Sequence, residues 1–170
     1  MRKKNLPKIS IRFTSPEDRA GILSILKETN FFRPQELLVA EEVLDDALAR
    51  GAEGHYRSFV AEDGRDIVGW VCFGPTPCTL GTFDVYWIVV DPGKQRCGIG
   101  SALMQYAADI IEGRNGRMII AETSGTQRYL STRRFYEKLN YRRAACVENF
   151  YAPGDDKVIY VNLLKESKGI

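Results

Sequence analysis

The chain has 170 residues, which at ~150 residues per domain is the length of one domain and leaves little for a second core. Hydrophobic residues make up 44% and charged residues 27%, a globular composition that excludes disordered, collagenous and coiled-coil chains. Lys plus Arg number 24 against 22 Asp plus Glu, a formal charge of +2, too balanced for nucleic acid or an anionic membrane to be the main partner.

In chain order, Ile9, Ile11 and Phe13 alternate with Ser10 and Arg12, the period of a half-buried strand. Ser15-Pro16-Glu17-Asp18 supplies an N-cap, a proline at the first helical position and acids in the first turn, so a helix is predicted from there through Ile22, Leu23, Ile25 and Leu26. Asn30 to Phe32 interrupts it, and Pro34 opens a second helix that Gly51 stops. Tyr56–Glu62 and Asp66–Phe73 are rich in aromatic and β-branched residues around Asp63-Gly64-Arg65, a hairpin signal. After the loop Gly74-Pro75-Thr76-Pro77, Thr82–Val90 reads as a long strand ended by Asp91-Pro92-Gly93. Ile99, Leu103, Tyr106 and Ile110 recur at helical spacing up to Gly113. A short strand over Arg117–Thr123, a helix over Tyr129–Leu139 and two strands, about Tyr141–Tyr151 and Lys157–Leu164, follow, the last two joined by the turn Pro153-Gly154-Asp155-Asp156. This order predicts a single α/β (α+β) domain over residues 8–165, a mixed sheet with helices on both faces, flanked by tails at 1–7 and 166–170.

Cys72, Cys78, Cys97 and Cys146 form no C-x-x-C pair and His55 is the only histidine, so no zinc framework can be assembled and no metal is expected. Each cysteine reads as a small, mostly buried side chain with a reduced thiol. The basic start Met1-Arg2-Lys3-Lys4-Asn5 is followed by no apolar stretch, and the longest apolar run, Val85–Val90, is far short of the ~20 residues of a membrane span. A cytoplasmic location is the expectation.

The segment Val89 to Ser101 holds the most chemical information. Glycines at 93, 98 and 100 remove Cβ atoms where a ligand would approach, and the backbone amides of Arg96 to Ser101 converge on a helix start, an arrangement that attracts phosphate. Lys94 and Arg96 add charge. A Walker loop would need Gly-Lys-Ser/Thr where Ser101-Ala102 stand, and a Rossmann fingerprint would need a third small residue where Leu103 stands. Both fail. What remains is Gln95-x-x-Gly98-x-Gly100 after a strand ending in Val-Asp-Pro, followed downstream by Arg134-Phe135-Tyr136-Glu137-Lys138-Leu139-Asn140-Tyr141.

With these two motifs the chain resembles the GNAT family, the Gcn5-related N-acetyltransferases, and the order of elements matches from Ile9 to Leu164. The resemblance implies a mostly antiparallel seven-stranded sheet with a splayed central strand pair. It implies acetyl-CoA or another acyl-CoA as co-substrate, with the pyrophosphate on Gln95, Arg96, Cys97, Gly98, Ile99, Gly100 and Ser101. The pantetheine arm would lie along main-chain groups near Ile88 and Val90 like an added strand, and a main-chain N–H there would polarise the thioester oxygen. Asn140 stands where the family has glycine, a mild change because Asn tolerates a left-handed backbone. Tyr129 stands where many relatives have a CoA-contacting asparagine, and an aromatic there could pack on the cofactor.

Acetyl transfer to an amine requires a neutral amine, a polarised carbonyl and a proton for the departing thiolate. By the motif, Tyr136 is the general acid, although helix pattern alone would make it a core aromatic beside Phe135. Glu122, placed at the end of its strand, is the candidate base, directly or through water, with a solvent-facing strand terminus as the other reading. Asp84 and Tyr86 share one side of their strand and suggest a pocket for a cationic acceptor, or a hydrogen-bonded structural acid. Phe31 lies where the family contacts its acceptor, with Phe32, Glu36 and Glu41 nearby. Cys97 is not expected to be a nucleophile: it sits among phosphate donors with no histidine beside it. The expected function is an N-acetyltransferase acting on a small-molecule or peptide amine in a ternary complex, without nucleic-acid or membrane partners and with a homodimer left open. The alternative is a non-catalytic acyl-CoA-binding domain that kept the turn.

Overall fold

The computed structural model describes residues 9–164; the tails expected at 1–7 and 166–170 lie outside the described residues. The strands are β1 (Ile9–Phe13), β2 (Arg57–Asp63), β3 (Asp66–Pro75), β4 (Thr82–Val90), β5 (Met118–Ser124), β6 (Arg142–Ala152) and β7 (Asp155–Leu163). The helices are α1 (Arg19–Glu28), α2 (Pro34–Arg50), α3 (Ile99–Glu112) and α4 (Leu130–Lys138). The strands form one seven-stranded sheet in the order β1-β2-β3-β4-β5-β7-β6. β4 and β5 run parallel, while β1–β2, β2–β3, β5–β7 and β6–β7 are antiparallel. The mixed, mostly antiparallel sheet and the element order therefore match the expectation.

Local chemistry explains most element ends, including those that move. Ser15 is extended and Pro16 fixes the first turn, but residues 16–18 form a 3₁₀ turn, so α1 starts only at Arg19. Asp18 holds this corner: it accepts from the Ser15 N–H at 2.7 Å and from both terminal nitrogens of Arg12 at 2.7 and 2.9 Å. Burial raises the cost of its charge, yet the Arg12 and Ser15 donors outweigh it and keep the carboxyl below its ordinary range. At α2, Glu36 accepts from the Arg33 N–H at 2.7 Å, a capping role, and Glu41 binds Arg19 at 2.6 Å. The β2–β3 turn needs only Gly64 and Arg65, because Asp63 already pairs with Asp66. The β6–β7 turn is likewise shorter than predicted: Asp155 and Asp156 belong to β7, and Ala152 pairs with Asp155.

Two compact units share the chain, residues 9–74 with 87–107 and residues 75–86 with 108–164. In the first, the helical spacing of Ile22, Ile25 and Leu26 in α1 and of Ala40, Val43 and Leu44 in α2 packs one apolar stripe against Val60, Trp70, Cys72 and Val89. Each large aliphatic side chain buried this way contributes ~1.5–3 kcal/mol. The polar end of Trp70 is satisfied too, its indole N–H donating to Ser58 Oγ at 2.8 Å. α3 packs on the other face of β3, where a Cβ on Gly69 would come within 2.9 Å of Leu103 and 3.1 Å of Ile99. In the second unit Ile119 and Ala121 of β5 and Val158 and Tyr160 of β7 alternate inward, with β5 and β7 in register from Met118↔Leu163 to Ser124↔Lys157.

Candidate active site

In the first unit the glycine-rich segment forms the predicted strand-to-helix turn, built by short-range hydrogen bonds. Asp91 accepts from the Gly93 N–H at 2.7 Å and fixes a 3₁₀ turn over Pro92–Lys94. Lys94, which the sequence offers as a phosphate charge, instead binds Asp63 at 2.9 Å. The backbone then reverses through Arg96 (φ 61) and Gly98 (φ 83). The first helical hydrogen bond runs from the Ala102 N–H to the Gly98 carbonyl at 2.9 Å. The N–H groups of Ile99, Gly100 and Ser101 precede it and have no acceptor within the helix. Gln95, Arg96, Cys97, Gly98 and Ser101 are exposed. A Cβ on Gly98 would meet nothing within 4 Å, so that glycine is required by its positive φ and the space above it is open.

Leading into the turn, β4 pairs with β5 only over Thr82–Val85, although β4 itself continues to Val90. Ile88 and Val90 lie in that continuation and are half-buried. Phe31 stands edge-on to Phe32, which stands edge-on to Trp87 at 5.2 Å, and Trp87 stacks on Trp70 at 6.4 Å. This aromatic row joins the α1–α2 connection to β4. Its members are too far apart in sequence for local pattern to link them.

In the second unit the Phe-Tyr-Glu-Lys motif forms the end of α4. Tyr136 is only 4% exposed, with the rings of Tyr141 and Tyr160 at 5.7 and 5.6 Å. Burial, with Tyr141 adding, pushes its hydroxyl well above the ordinary phenol value, so Tyr136 is a neutral donor throughout the physiological range. Burial and the hydrogen bond to Glu137 push Tyr160 up to about 12. Asn140 takes φ 63 just past the helix, while the Tyr141 N–H returns to the Tyr136 carbonyl at 3.0 Å. Asn thus performs the left-handed cap for which the family uses glycine. Tyr129 closes the 3₁₀ turn Gln127–Tyr129 that leads into α4.

Asp84, Tyr86 and Glu122 lie on one face of the β4–β5 pair, because Asp84 opposes Ile120 and side chains alternate along each strand. Asp84 accepts from Thr76 Oγ at 2.7 Å, which is the structural-acid reading of that residue. Glu122 corrects the prediction in two ways. It does not end its strand, since β5 runs to Ser124, and its carboxylate is engaged by Lys157 at 2.5 Å. The Lys157 ammonium in turn lies 4.0 Å over the Phe150 ring. Lys157 escapes sequence reasoning because only the β5–β7 register brings it to Glu122, and Phe150 because it reaches Lys157 from the neighbouring strand β6. The cysteine expectation holds for Cys72 alone, since Cys78, Cys97 and Cys146 are exposed. The predicted side chains thus fall into separate groups, Phe31, Ile88, Val90 and Gln95–Ser101 in the first unit and Asp84, Tyr86, Glu122, Tyr129 and Tyr136 in the second.

The profile of the acetyltransferase (GNAT) domain matches residues 54–143. A crystal structure from Desulfovibrio desulfuricans, of a protein assigned to the GNAT acetyltransferases, is 39% identical over 91% of this chain and 98% of its own, with a TM-score of 0.87. The ribosomal-protein-S18-alanine N-acetyltransferase of Escherichia coli shares the fold at 18% identity, covering 95% of this chain and 99% of its own with a TM-score of 0.74. YncA of Salmonella typhimurium, solved with its cofactor acetyl-CoA, shares it at 17% identity over 95% and 96% of the two chains, with a TM-score of 0.72. No curated protein matches the chain significantly. With more than half of its length matched by the domain profile and a close structural relative of the same family, the chain belongs to the GNAT acetyltransferase family.

Proposed function

We propose that the chain transfers an acetyl group from acetyl-CoA to a primary amine by direct attack. The observation that carries this reading is the exposed turn Gln95–Ser101, whose amides at Ile99, Gly100 and Ser101 lack helical acceptors and whose Gly98 leaves open space. Such a helix start fits the pyrophosphate of acyl-CoA, with Arg96 as the nearby cation. The continuation of β4 beyond its pairing with β5 supports backbone capture of the pantetheine arm at Ile88 and Val90 on that side. Bound acetyl-CoA would supply an activated thioester; the chain's own groups bind it, orient the acceptor and move protons.

In this scheme the amine nitrogen forms the new C–N bond as the C–S bond breaks. Tyr136 donates its phenolic proton to the departing sulfur, a role suited to a group that burial keeps protonated. The excess proton of the acceptor leaves through Glu122 or a water beside it. Lys157 holds Oε2 of that carboxylate and leaves Oε1 to accept. Asp84 and Tyr86, on the same face, would bind the cationic acceptor, with Phe31 and Tyr129 packing on acceptor and cofactor respectively. The acceptor is then a small-molecule or peptide amine. A panel of amines incubated with acetyl-CoA, with thiol release and product mass followed together, tests the proposal. Amine-dependent thiol release with an equal amount of acetylated amine is expected. Tight acetyl-CoA binding without release for any amine would favour a non-catalytic acyl-CoA-binding domain.

A further inference from the structure

α2 does more than cover the sheet. Val39, Glu42, Asp46 and Arg50 recur along it at helical spacing and so line up on one side. The segment that enters β2 contributes His55 and Tyr56, and together these side chains line a cleft of about 490 Å³, a volume in the range of small-molecule sites. Both rings are held in place by the fold itself. Tyr56 is half-buried and packs on the core that α1 and α2 share with β3. The His55 ring stands edge-on to it, with centroids 4.9 Å apart, and lies so close to Gly74 that a Cβ there would come within 3.1 Å of Nε2. The two carboxylates of the cleft differ. Asp46 is bound by Arg50 at 2.7 Å, whereas Glu42 forms no hydrogen bond or ion pair among the described residues. With Arg50 cancelling Asp46, Glu42 leaves the cleft with one uncompensated negative charge.

We propose that this cleft binds a small organic ammonium ion, its charge beside Glu42 and its methyl or methylene groups against the Tyr56 and His55 rings and Val39, which is 51% exposed. The uncompensated carboxylate suits a monocation. Aromatic ring faces attract an alkylammonium and offer nothing to an anion. Among the described residues no group of three His, Cys, Asp or Glu side chains is placed to hold a metal ion, so the fitting cation is one that needs no coordination shell. The cleft belongs wholly to the first unit and shares no residue with the face of Asp84, Tyr86 and Glu122 in the second. Binding there does not depend on acetyl transfer.

The probe is choline, a quaternary ammonium with no N–H to acetylate, titrated into the full chain beside neohexanol, the same shape with carbon in place of the charged nitrogen. His55 is the only histidine, so its ring signals in an NMR spectrum report on this cleft. Choline should shift them saturably with a Kd of ~1–10 mM, the range for one exposed carboxylate and one or two ring faces. Neohexanol should bind about tenfold more weakly or not at all. Glu42→Lys should weaken choline binding by about tenfold and Tyr56→Leu by about fivefold or more, while Tyr56→Phe, which keeps the ring, should stay within about twofold. Circular dichroism and melting identify a variant that fails to fold. Glu42 is exposed, so its reversal keeps the test decisive whatever Tyr56→Leu does. In the double variant Asp84→Asn/Glu122→Gln the His55 response to choline should be unchanged. No saturable shift of His55, equal shifts from neohexanol, wild-type affinity in Glu42→Lys, or a response lost in Asp84→Asn/Glu122→Gln would each overturn the proposal.

Discussion

Replacing Gly100 by Trp tests the pyrophosphate turn where the geometry is most explicit. Gly100 lies in the first turn of α3, between two amides that precede the first helical hydrogen bond. A charge-assisted hydrogen bond to a phosphate oxygen contributes ~1.5–3 kcal/mol, and an indole at this position would displace one or two of them. The expected loss is ~2–4 kcal/mol, about 30- to 700-fold in Kd for acetyl-CoA. Isothermal titration calorimetry reads it directly, with the melting temperature as control. Gly98→Ala separates strain from obstruction. Its Cβ would meet nothing within 4 Å, but φ 83 forces an L-residue into the left-handed region, at a cost of ~1–2 kcal/mol. For a chain of this length that corresponds to a fall of ~2–8 °C in Tm. If folded Gly100→Trp binds acetyl-CoA with wild-type affinity, the amides of α3 do not hold the pyrophosphate and the reasoning from the turn fails.

Other parts of the chain give further tests. Tyr136→Phe keeps the ring between Tyr141 and Tyr160 and removes only the hydroxyl, so kcat should fall ~10²-fold with acetyl-CoA affinity nearly unchanged; wild-type turnover, with chemistry rate-limiting, would reduce Tyr136 to a core aromatic. Glu122→Gln should lower kcat/KM and remove the acidic limb of its pH profile, whereas Asp84→Asn should mainly raise KM for the amine; an unchanged profile in Glu122→Gln would leave proton removal to water alone. The folded-state pKa of Asp18 lies below its unfolded value, so its stabilisation is complete above the ordinary carboxylate range and is lost as pH falls through the folded pKa. Asp18→Asn should therefore lower Tm at neutral pH and flatten the acid side of the Tm profile; equal losses at all pH values would contradict that linkage. Asn140→Gly should raise stability and Asn140→Ala should lower it, each by up to ~1 kcal/mol, because Asn140 sits at φ 63; in a chain of this length that is a shift of up to ~2–4 °C in Tm.

Features written in short-range pattern were readable from the sequence, and features written in strand register were not. The turn could be found because its glycines, proline and capping aspartate act within a few residues of one another. The same holds for the end of α4, where Asn140 supplies the left-handed cap. Lys94 was misread because its partner, Asp63, comes from the β2–β3 turn, far away in sequence. Glu122 was misplaced for a related reason: alternation identifies its face, but Lys157 reaches it only through the pairing of Ser124 with Lys157. The cysteines show the limit of composition, since the average preference for burial applies to Cys72 inside β3 and not to Cys146 on an open edge.

The central claim is direct transfer between two bound substrates, and an initial-velocity matrix over acetyl-CoA and an active amine tests it most directly. The account predicts intersecting double-reciprocal lines and an unmodified protein mass after incubation with acetyl-CoA alone. Parallel lines together with an acetylated chain, above all at the exposed Cys97, would contradict direct attack and point to a covalent intermediate.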